Sequence, residues 1–473
     1  MRHVANVGFV MAMDTDSISI QQKFEELISS DDKLMIHEFL NDQNISDVAD
    51  LIYENDEYEC QIISMLSMHR ATSVFKILEF PTQKRIIKNL PPLKTTELLN
   101  ELPADDRVAF LEDLPASIVR DLIKRLEPEE RKVTLELLGY PENSMGRLMT
   151  PDYVYVYEEN SVKEVLETIR KQARNTETID VIYVINDKGE LIDDIRIKEF
   201  ILAEPGKKVN EIMDGRYIKL NVNDDQEVAA NVFKMNNRVA LPVTDDKNIL
   251  LGIVTIDDIL WVAEEEFSED IQKIGGTEAL DAPYLDISIF KLVKKRAGWL
   301  VILFLSEMLT ATAMQFFQKE IEAATVLALF IPLIMSSGGN SGSQASTLII
   351  QAMALGELTI ADWWRVMKRE ILSGLCLGLI LGTIGFLRIL IWQNFHIFDY
   401  GVYWQLVATT IFFSLIGIVL WGSLMGSMLP LFLKRLKLDP AASSAPFVAT
   451  LVDVTGIVIY FSVAYIFLRG ILL

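Results

Sequence analysis

The sequence predicts a multidomain protein: an α-helical superhelical N-terminal domain, a tandem α/β pair and an α-helical transmembrane domain with five spans. Three observations predict it. Leu90-Pro91, Leu102-Pro103, Leu114-Pro115 and Leu126 recur every 12 residues. One strand–helix–strand–strand–helix pattern occurs twice between residues 147 and 263. Five apolar runs, each long enough to cross a bilayer, fill the chain beyond Lys291. Charge divides at the same place. Lys291 to the end holds 13 basic and 9 acidic residues, which leaves 31 basic and 57 acidic ones, a net −26, for residues 1–290. Such an acidic surface excludes nucleic acid as a partner, because that needs a basic patch. It suits a unit that repels itself until cations screen it.

Residues 1–19 are expected to be a disordered extension. The start, MRHVANVGFVMAM, is apolar but carries no cleavage-type pattern, and translation from Met13 is an alternative. Residues 20–146 form the helical domain. Its units read LPADDRVAFLED and LPASIVRDLIKR. Proline is tolerated in the first turn of a helix and breaks its interior, so each unit is one short helix. Helices stacked at a fixed period form a right-winding solenoid and bury one continuous core.

Residues 147–263 form the α/β pair, split at about 147–208 and 209–263. Tyr153–Tyr157 and Val181–Ile185 read as strands of the first copy, and Ser161 with Glu164 is a capping box between them. Tyr217–Leu220, Leu241–Val243 and Leu251–Thr255 are the strands of the second copy, with a helix from Gln226 to Met235. Residues 264–296 are expected to form a connecting helix. Its Glu265/Glu269 and Glu266/Asp270 pairs are like charges at i,i+4, which calls for a cation to offset them.

The spans are placed at Ala297–Phe317, Val326–Leu355, Ile371–Trp392, Trp404–Leu433 and Pro446–Leu468. Lys294/Lys295/Arg296, Arg365/Lys368/Arg369 and Lys434/Arg435/Lys437 lie at alternate span ends. The positive-inside rule then puts the N-terminal portion in the cytoplasm and the C-terminus outside. Gly374, Gly378 and Gly382, and likewise Gly422 and Gly426, mark close helix packing. The run Ser336-Ser337-Gly338-Gly339-Asn340-Ser341-Gly342-Ser343-Gln344 is expected to interrupt the second span. Flexible polar backbone at that depth lines or supports a wet path, or forms a packing kink. Gly339, Asn340 and Gln344 are the candidates there.

Asp453 is the sharpest candidate. A carboxylate inside a span costs several kcal/mol unless it faces water, a partner charge or an ion. No basic residue lies deep in any span, so a passing cation is its natural partner. Glu307 in the first span is either a helix–helix hydrogen-bonding group or a second pore group. Asp439, before Pro440, is a cation-attracting group at the cytoplasmic mouth or a turn residue. Oxygen ligands suit hard ions such as Mg²⁺, Ca²⁺ or Mn²⁺. Mg²⁺ sheds its waters reluctantly and is held through them by one or two carboxylates. Cys60 and Cys376 lie in unlike surroundings, and His3, His37, His69 and His396 are scattered, so neither a disulfide nor a zinc site is expected. No nucleophile–base constellation suggests an enzyme.

Four segments resemble the MgtE family of bacterial magnesium channels: Pro141–Thr150 (PENSMGRLMT), Gly252–Asp258 (GIVTIDD), Gly338–Gln344 (GGNSGSQ) and Val452–Gly456 (VDVTG). Their order and spacing extend the resemblance over nearly the whole chain. It implies a helical N domain, a pair of CBS units, a plug helix over 264–296 and a five-helix pore domain over 297–473. It implies a homodimer in the bacterial inner membrane with a Mg²⁺ pore between the membrane halves. Asp453 matches the family's pore aspartate, Ala449 would lend a backbone carbonyl, and Asp439 matches an acid at the mouth. The resemblance also places Asp225, Glu227, Asp258, Glu266, Glu269 and Asp270 among Mg²⁺-sensing groups, with Asp105 and Gly146 on the N-domain side. Asn237 and Trp261 stand where typical members carry carboxylates. High cytoplasmic Mg²⁺ would bridge the acidic faces and close the pore. ATP at the CBS pair is permitted as a modulator. Two other readings stay open: a proton-coupled secondary transporter, and a membrane-tethered nucleotide sensor whose spans only anchor a dimer.

Overall fold

The 12-residue repeat builds what its prolines require. The computed structural model describes residues 16–472 apart from 31, 174, 175, 281–283 and 286. Each repeat is one helix: Pro92–Glu101, Ala104–Glu112, Ala116–Ile123 and Pro128–Leu137. Pro91, Pro103 and Pro115 sit at the N-cap, where the missing N–H would have had no helical partner. Leu90, Leu102, Leu114 and Leu126, one before each unit, are all buried in a core that runs back to Phe24. The first helix, Asp16–Ser30, begins inside the stretch expected to be disordered. Residues 1–15, with Met13, lie outside the described residues.

The two α/β copies have one topology. Strands β1 (Tyr155–Tyr157), β2 (Val181–Ile185) and β3 (Leu191–Arg196) form the first sheet, with β1 parallel and β3 antiparallel to β2. Strands β4 (Leu220–Asn221), β5 (Ala240–Thr244) and β6 (Leu250–Thr255) repeat it. The crossover helices are Val162–Gln172 and Gln226–Asn236. The Ser161–Glu164 capping box forms as the spacing demands. The segment Met145–Thr150 docks the helical domain onto the second copy. Met145 N–H donates to the Asp224 carbonyl (2.9 Å), Gly146 N–H to Val222 (2.8 Å) and Thr150 N–H to Ile253 (2.8 Å).

A buried ion pair links the copies. Arg238 Nη1 lies 3.1 Å from Asp194 Oδ2, and the Asp194 side chain is 1% exposed. Burial pushes the Asp194 carboxyl up to about 6, against the pull of Arg238 and with the help of Asp193 and Asp214. The folded state therefore holds this proton more tightly than the unfolded chain between about pH 4 and pH 6. The cost of the buried charge is present above that window and absent below it. Arg238→Met is expected to destabilise the pair by about 3–5 kcal/mol near pH 8 and by clearly less at pH 5. Thermal unfolding of the purified chain at the two pH values checks this; equal losses would contradict it.

The chain divides into two compact units, residues 1–265 and 266–473. The expected connecting helix over 264–296 is not continuous. Its acidic residues belong to the helix Ile256–Ile274, which closes the second α/β copy. Gly276, at φ +74°, ends it in a Schellman motif: Thr277 N–H donates to Gln272 and Gly276 N–H to Lys273. Lys291–Arg296 already lie in the first span, Ile289–Phe316.

The other spans are Ile331–Ala354, Trp363–Asn394, Trp404–Arg435 and Ala445–Leu468. Each is apolar and long enough to cross a membrane. The polar run in the second span does not interrupt it, because Ile331–Ala354 is helical throughout. Its small residues instead permit close packing on the fourth and fifth spans. Ser341 Oγ meets Ser423 Oγ at 2.8 Å, Ser343 donates to the Ala445 carbonyl and Ser346 to that of Ser443. These bonds satisfy polar side chains that a kink was expected to hydrate. The Gly374/Gly378/Gly382 stripe of the third span lies on Leu420, Ile416 and Phe412 of the fourth.

Candidate ion path and ion-sensing cluster

In the membrane unit, Asp453 of the fifth span sits beside Gly339 of the second. A Cβ at Gly339 would lie 3.7 Å from Asp453 Oδ1 and 3.3 Å from the Ala449 methyl. The helical continuity of the second span therefore brings Gly339, Ala449 and Asp453 together. Asp453 is half-buried, and the charged group that acts on it is Glu307 of the first span. Two acids thus face one region with no basic neighbour among the described residues. Ser336, Asn340 and Gln344, four residues apart, share an exposed face of the second span. Asn340 Nδ2 donates to Ser336 Oγ at 3.3 Å.

At one end of these helices, Asp439 caps the short turn Pro440–Ala442 by accepting from Ala441 N–H (2.8 Å). Lys273 Nζ lies 2.7 Å from the other oxygen of Asp439 and pairs with Glu269. Two expected Mg²⁺ ligands do meet here, on an ammonium that the sequence reading had not singled out. This lysine also supplies the offsetting cation that the like-charged i,i+4 pairs called for. Glu266 and Asp270 flank it on the same helix.

In the first unit a second acid cluster forms. Asp105, in the first turn of Ala104–Glu112, is buried, and its Oδ1 has no hydrogen-bond partner among the described residues. Burial pushes its carboxyl well up, and Asp258, Asp106 and Glu177 push in the same direction. Burial also lifts Asp258 to about 7 against the Thr255 hydroxyl, with Asp257, Asp106 and Glu177 adding to the rise. That hydroxyl lies 2.5 Å from Asp257 Oδ1 and 2.6 Å from Asp258 Oδ2. The helical domain and both α/β copies thus contribute carboxylates to one place. Like charges held together in a half-dry site favour an added cation. No three acidic, His or Cys side chains converge at bare-metal distance among the described residues. The donor set fits a hydrated ion held through its waters, and the orphaned Asp105 oxygen is free to accept from one.

The remaining expected residues are placed apart from this cluster. Asp225 caps the helix Gln226–Asn236 by accepting from Glu227 N–H (2.9 Å), and both are exposed. Neither contributes to the field at Asp105 or Asp258. Gly146 is packed under Tyr140 and Val222, with no room for a side chain. Asn237 is the C-cap of the same helix at φ +49°, a left-handed position that asparagine tolerates better than a carboxylate-bearing glutamate. Trp261 is 43% exposed on the helix Ile256–Ile274.

Residues 331–463 match the MgtE model, described as a divalent cation transporter; residues 43–143 match the MgtE intracellular N domain, and 145–205 and 209–265 match CBS domains. A magnesium transporter MgtE of Thermus thermophilus is 40% identical over 371 residues, 78% of this chain and 79% of that protein. The chain belongs to the MgtE family. The MgtE magnesium transporter of Bacillus subtilis is 28% identical over 94% of this chain and 98% of its own length. The crystal structure of the soluble part of a magnesium transporter matches with a TM-score of 0.50 at 26% identity, covering 53% of this chain and 99% of that one. As a member of the family, the chain is a multi-pass membrane protein whose N domain and CBS pair are cytoplasmic.

Sequence reasoning missed Asp106, Glu177, Asp257, Lys76 and Lys273. Asp106 and Asp257 had a signal, since each adjoins a residue that was singled out. Glu177 and both lysines had none, because ordinary polar residues become site groups only when distant helices meet.

Proposed function

We propose that this MgtE-family chain carries Mg²⁺ across the bacterial inner membrane as a homodimeric channel, and that cytoplasmic Mg²⁺ closes it. The observation that supports transport best is Asp453: a half-buried carboxylate within a span, beside Gly339 and Ala449, with another acid as its charged neighbour. Such a group needs a cation or water, and a hydrated Mg²⁺ supplies both. Asn340 and Gln344 would offer amide oxygens to its water shell, and Ala449 a backbone carbonyl. The related proteins named magnesium transporters favour Mg²⁺ over other hard ions. In this reading the C-terminus lies outside the cell. ATP at the CBS pair would be a separate modulator, carried by the resemblance alone.

Regulation follows from the acid cluster. Ions bound among Asp105, Asp258 and their neighbours stabilise the compact cytoplasmic unit, and ions at Glu266, Glu269, Asp270 and Asp439 hold the acidic end of the helix Ile256–Ile274 at the pore mouth. Asp225 and Glu227 would add a weaker, exposed site. The ion shifts the equilibrium because it binds the compact state better.

Two experiments separate the parts. Expression in a bacterium lacking Mg²⁺ uptake is expected to restore growth at low Mg²⁺; no growth would remove the transport reading. Limited proteolysis of the full chain in detergent is expected to slow as Mg²⁺ rises into the millimolar range. Digestion that ignores Mg²⁺ would remove the gating reading while leaving transport intact.

A further inference from the structure

The acid cluster of the cytoplasmic unit already contains a cation. Lys76, in the last turn of the helix Met68–Ile77, lies 3.6 Å from Asp106 Oδ2 and 3.9 Å from Glu177 Oε1. Asp257 and Asp258 also act on it. Burial works against its charge, and the four carboxylates overcome that and keep the ammonium protonated. One side chain of the helical domain thus ties together Asp106 of its own domain, Glu177 of the first CBS unit and Asp257/Asp258 of the second. Yet Asp105 Oδ1, buried in the same cluster, keeps no hydrogen-bond partner among the described residues. Among the described residues, one ammonium among five acids compensates them in part.

We propose that Lys76 is a tethered counter-cation: it holds the helical domain on the CBS pair when Mg²⁺ is absent, and Mg²⁺ displaces it from the carboxylates. This rests on the Mg²⁺-gating reading above. A tethered ammonium is always present, so it sets how far the unit opens at low Mg²⁺. Its ion pairs with Asp106 and Glu177 span 3.6 and 3.9 Å, and a divalent ion with its water shell carries twice the charge to several carboxylates at once. When Mg²⁺ is bound, Lys76 no longer contributes. A lysine whose role is only structural would contribute equally in both states.

The test is limited proteolysis of the full chain in detergent, with EDTA and at saturating Mg²⁺, for wild type, Lys76→Met and Lys76→Arg. Lys76→Met keeps the aliphatic stem and removes the charge. It is expected to be cut about tenfold faster than wild type in EDTA, the equivalent of about 1.4 kcal/mol, and at the wild-type rate in saturating Mg²⁺. The protection ratio, EDTA over Mg²⁺, therefore rises about tenfold, and Lys76→Arg restores it. Equal acceleration in both conditions means a structural lysine and overturns the proposal; so does no acceleration in EDTA. If wild type itself shows no Mg²⁺ protection, the gating reading fails first and this one falls with it.

Discussion

Asp453→Ala is expected to abolish Mg²⁺ uptake, by on the order of a hundredfold or more, while leaving the protein folded. The size follows from the charge. Removing a carboxylate that meets a divalent ion in a low-dielectric path forfeits about 3 kcal/mol of interaction, which is roughly a hundredfold in occupancy. The direction of the stability change differs from that of most core substitutions. A carboxylate inside a span opposes folding, so its removal is neutral or stabilising. Loss of transport with unchanged thermal stability would therefore report on the ion and not on packing. Asp453→Asn tests charge against hydrogen bonding: the amide still orders water but cannot balance a cation, and it is expected to fall near the alanine variant. Uptake into proteoliposomes, read by an enclosed Mg²⁺ indicator, decides the matter. Uptake by Asp453→Ala at the wild-type rate would end the assignment of this residue to the path.

Gly426→Leu is expected to disrupt the membrane unit more than any other single change there. A Cβ at Gly426 would land on the carbonyl oxygen of Gly342, a backbone atom of the second span that no rotamer change can move. The second and fourth spans must then part. Their separation breaks the Ser341–Ser423 contact and the close packing of Gly338 and Gly342 on their neighbours. Overpacking against movable side chains costs about 1–3 kcal/mol, and against fixed backbone it costs more. The expected readout is aggregation of the detergent-solubilised protein at a temperature where wild type stays monodisperse, on size-exclusion chromatography. Gly206→Ala is the control, because nothing lies within 4 Å of its Cβ position and its φ is not positive. A stable Gly426→Leu protein would mean that the two spans are not packed as described.

The elements of the fold were legible because each rests on a local rule. Proline at the N-cap of three of the 12-residue units, and at the first helical position of the fourth, fixes where a helix starts, and the leucine at the head of each unit fixes what is buried. Ser161 and Glu164 write a helix start in two residues. The spans are legible from length and hydropathy alone. The connecting helix failed for an equally local reason that was passed over: Gly275-Gly276 is a helix stop, and the acidic and basic halves of 264–296 belong to different helices. The second span failed differently. Its glycines and serines read as a break because isolated sequence cannot show the neighbours that make a helix of small residues stable. Gly338, Gly342, Gly422 and Gly426 interlock, and that packing overrides their weak helix propensity.

The site divides along the same line. Asp453 was readable from sequence because the cost of a buried charge depends on depth in a span, which length and hydropathy determine. Asp105 and Asp258 came only with the family resemblance, and nothing in their local sequence joined them. Tertiary structure alone joined the Asp105-Asp106 pair to the Asp257-Asp258 pair, put Glu177 beside them and inserted Lys76 among them, and it set Lys273 between Glu269 and Asp439. Periodicity, capping and hydropathy act over a few residues and are written along the chain. Electrostatic clusters act through space between segments far apart in sequence, so their membership is decided only when the chain has folded.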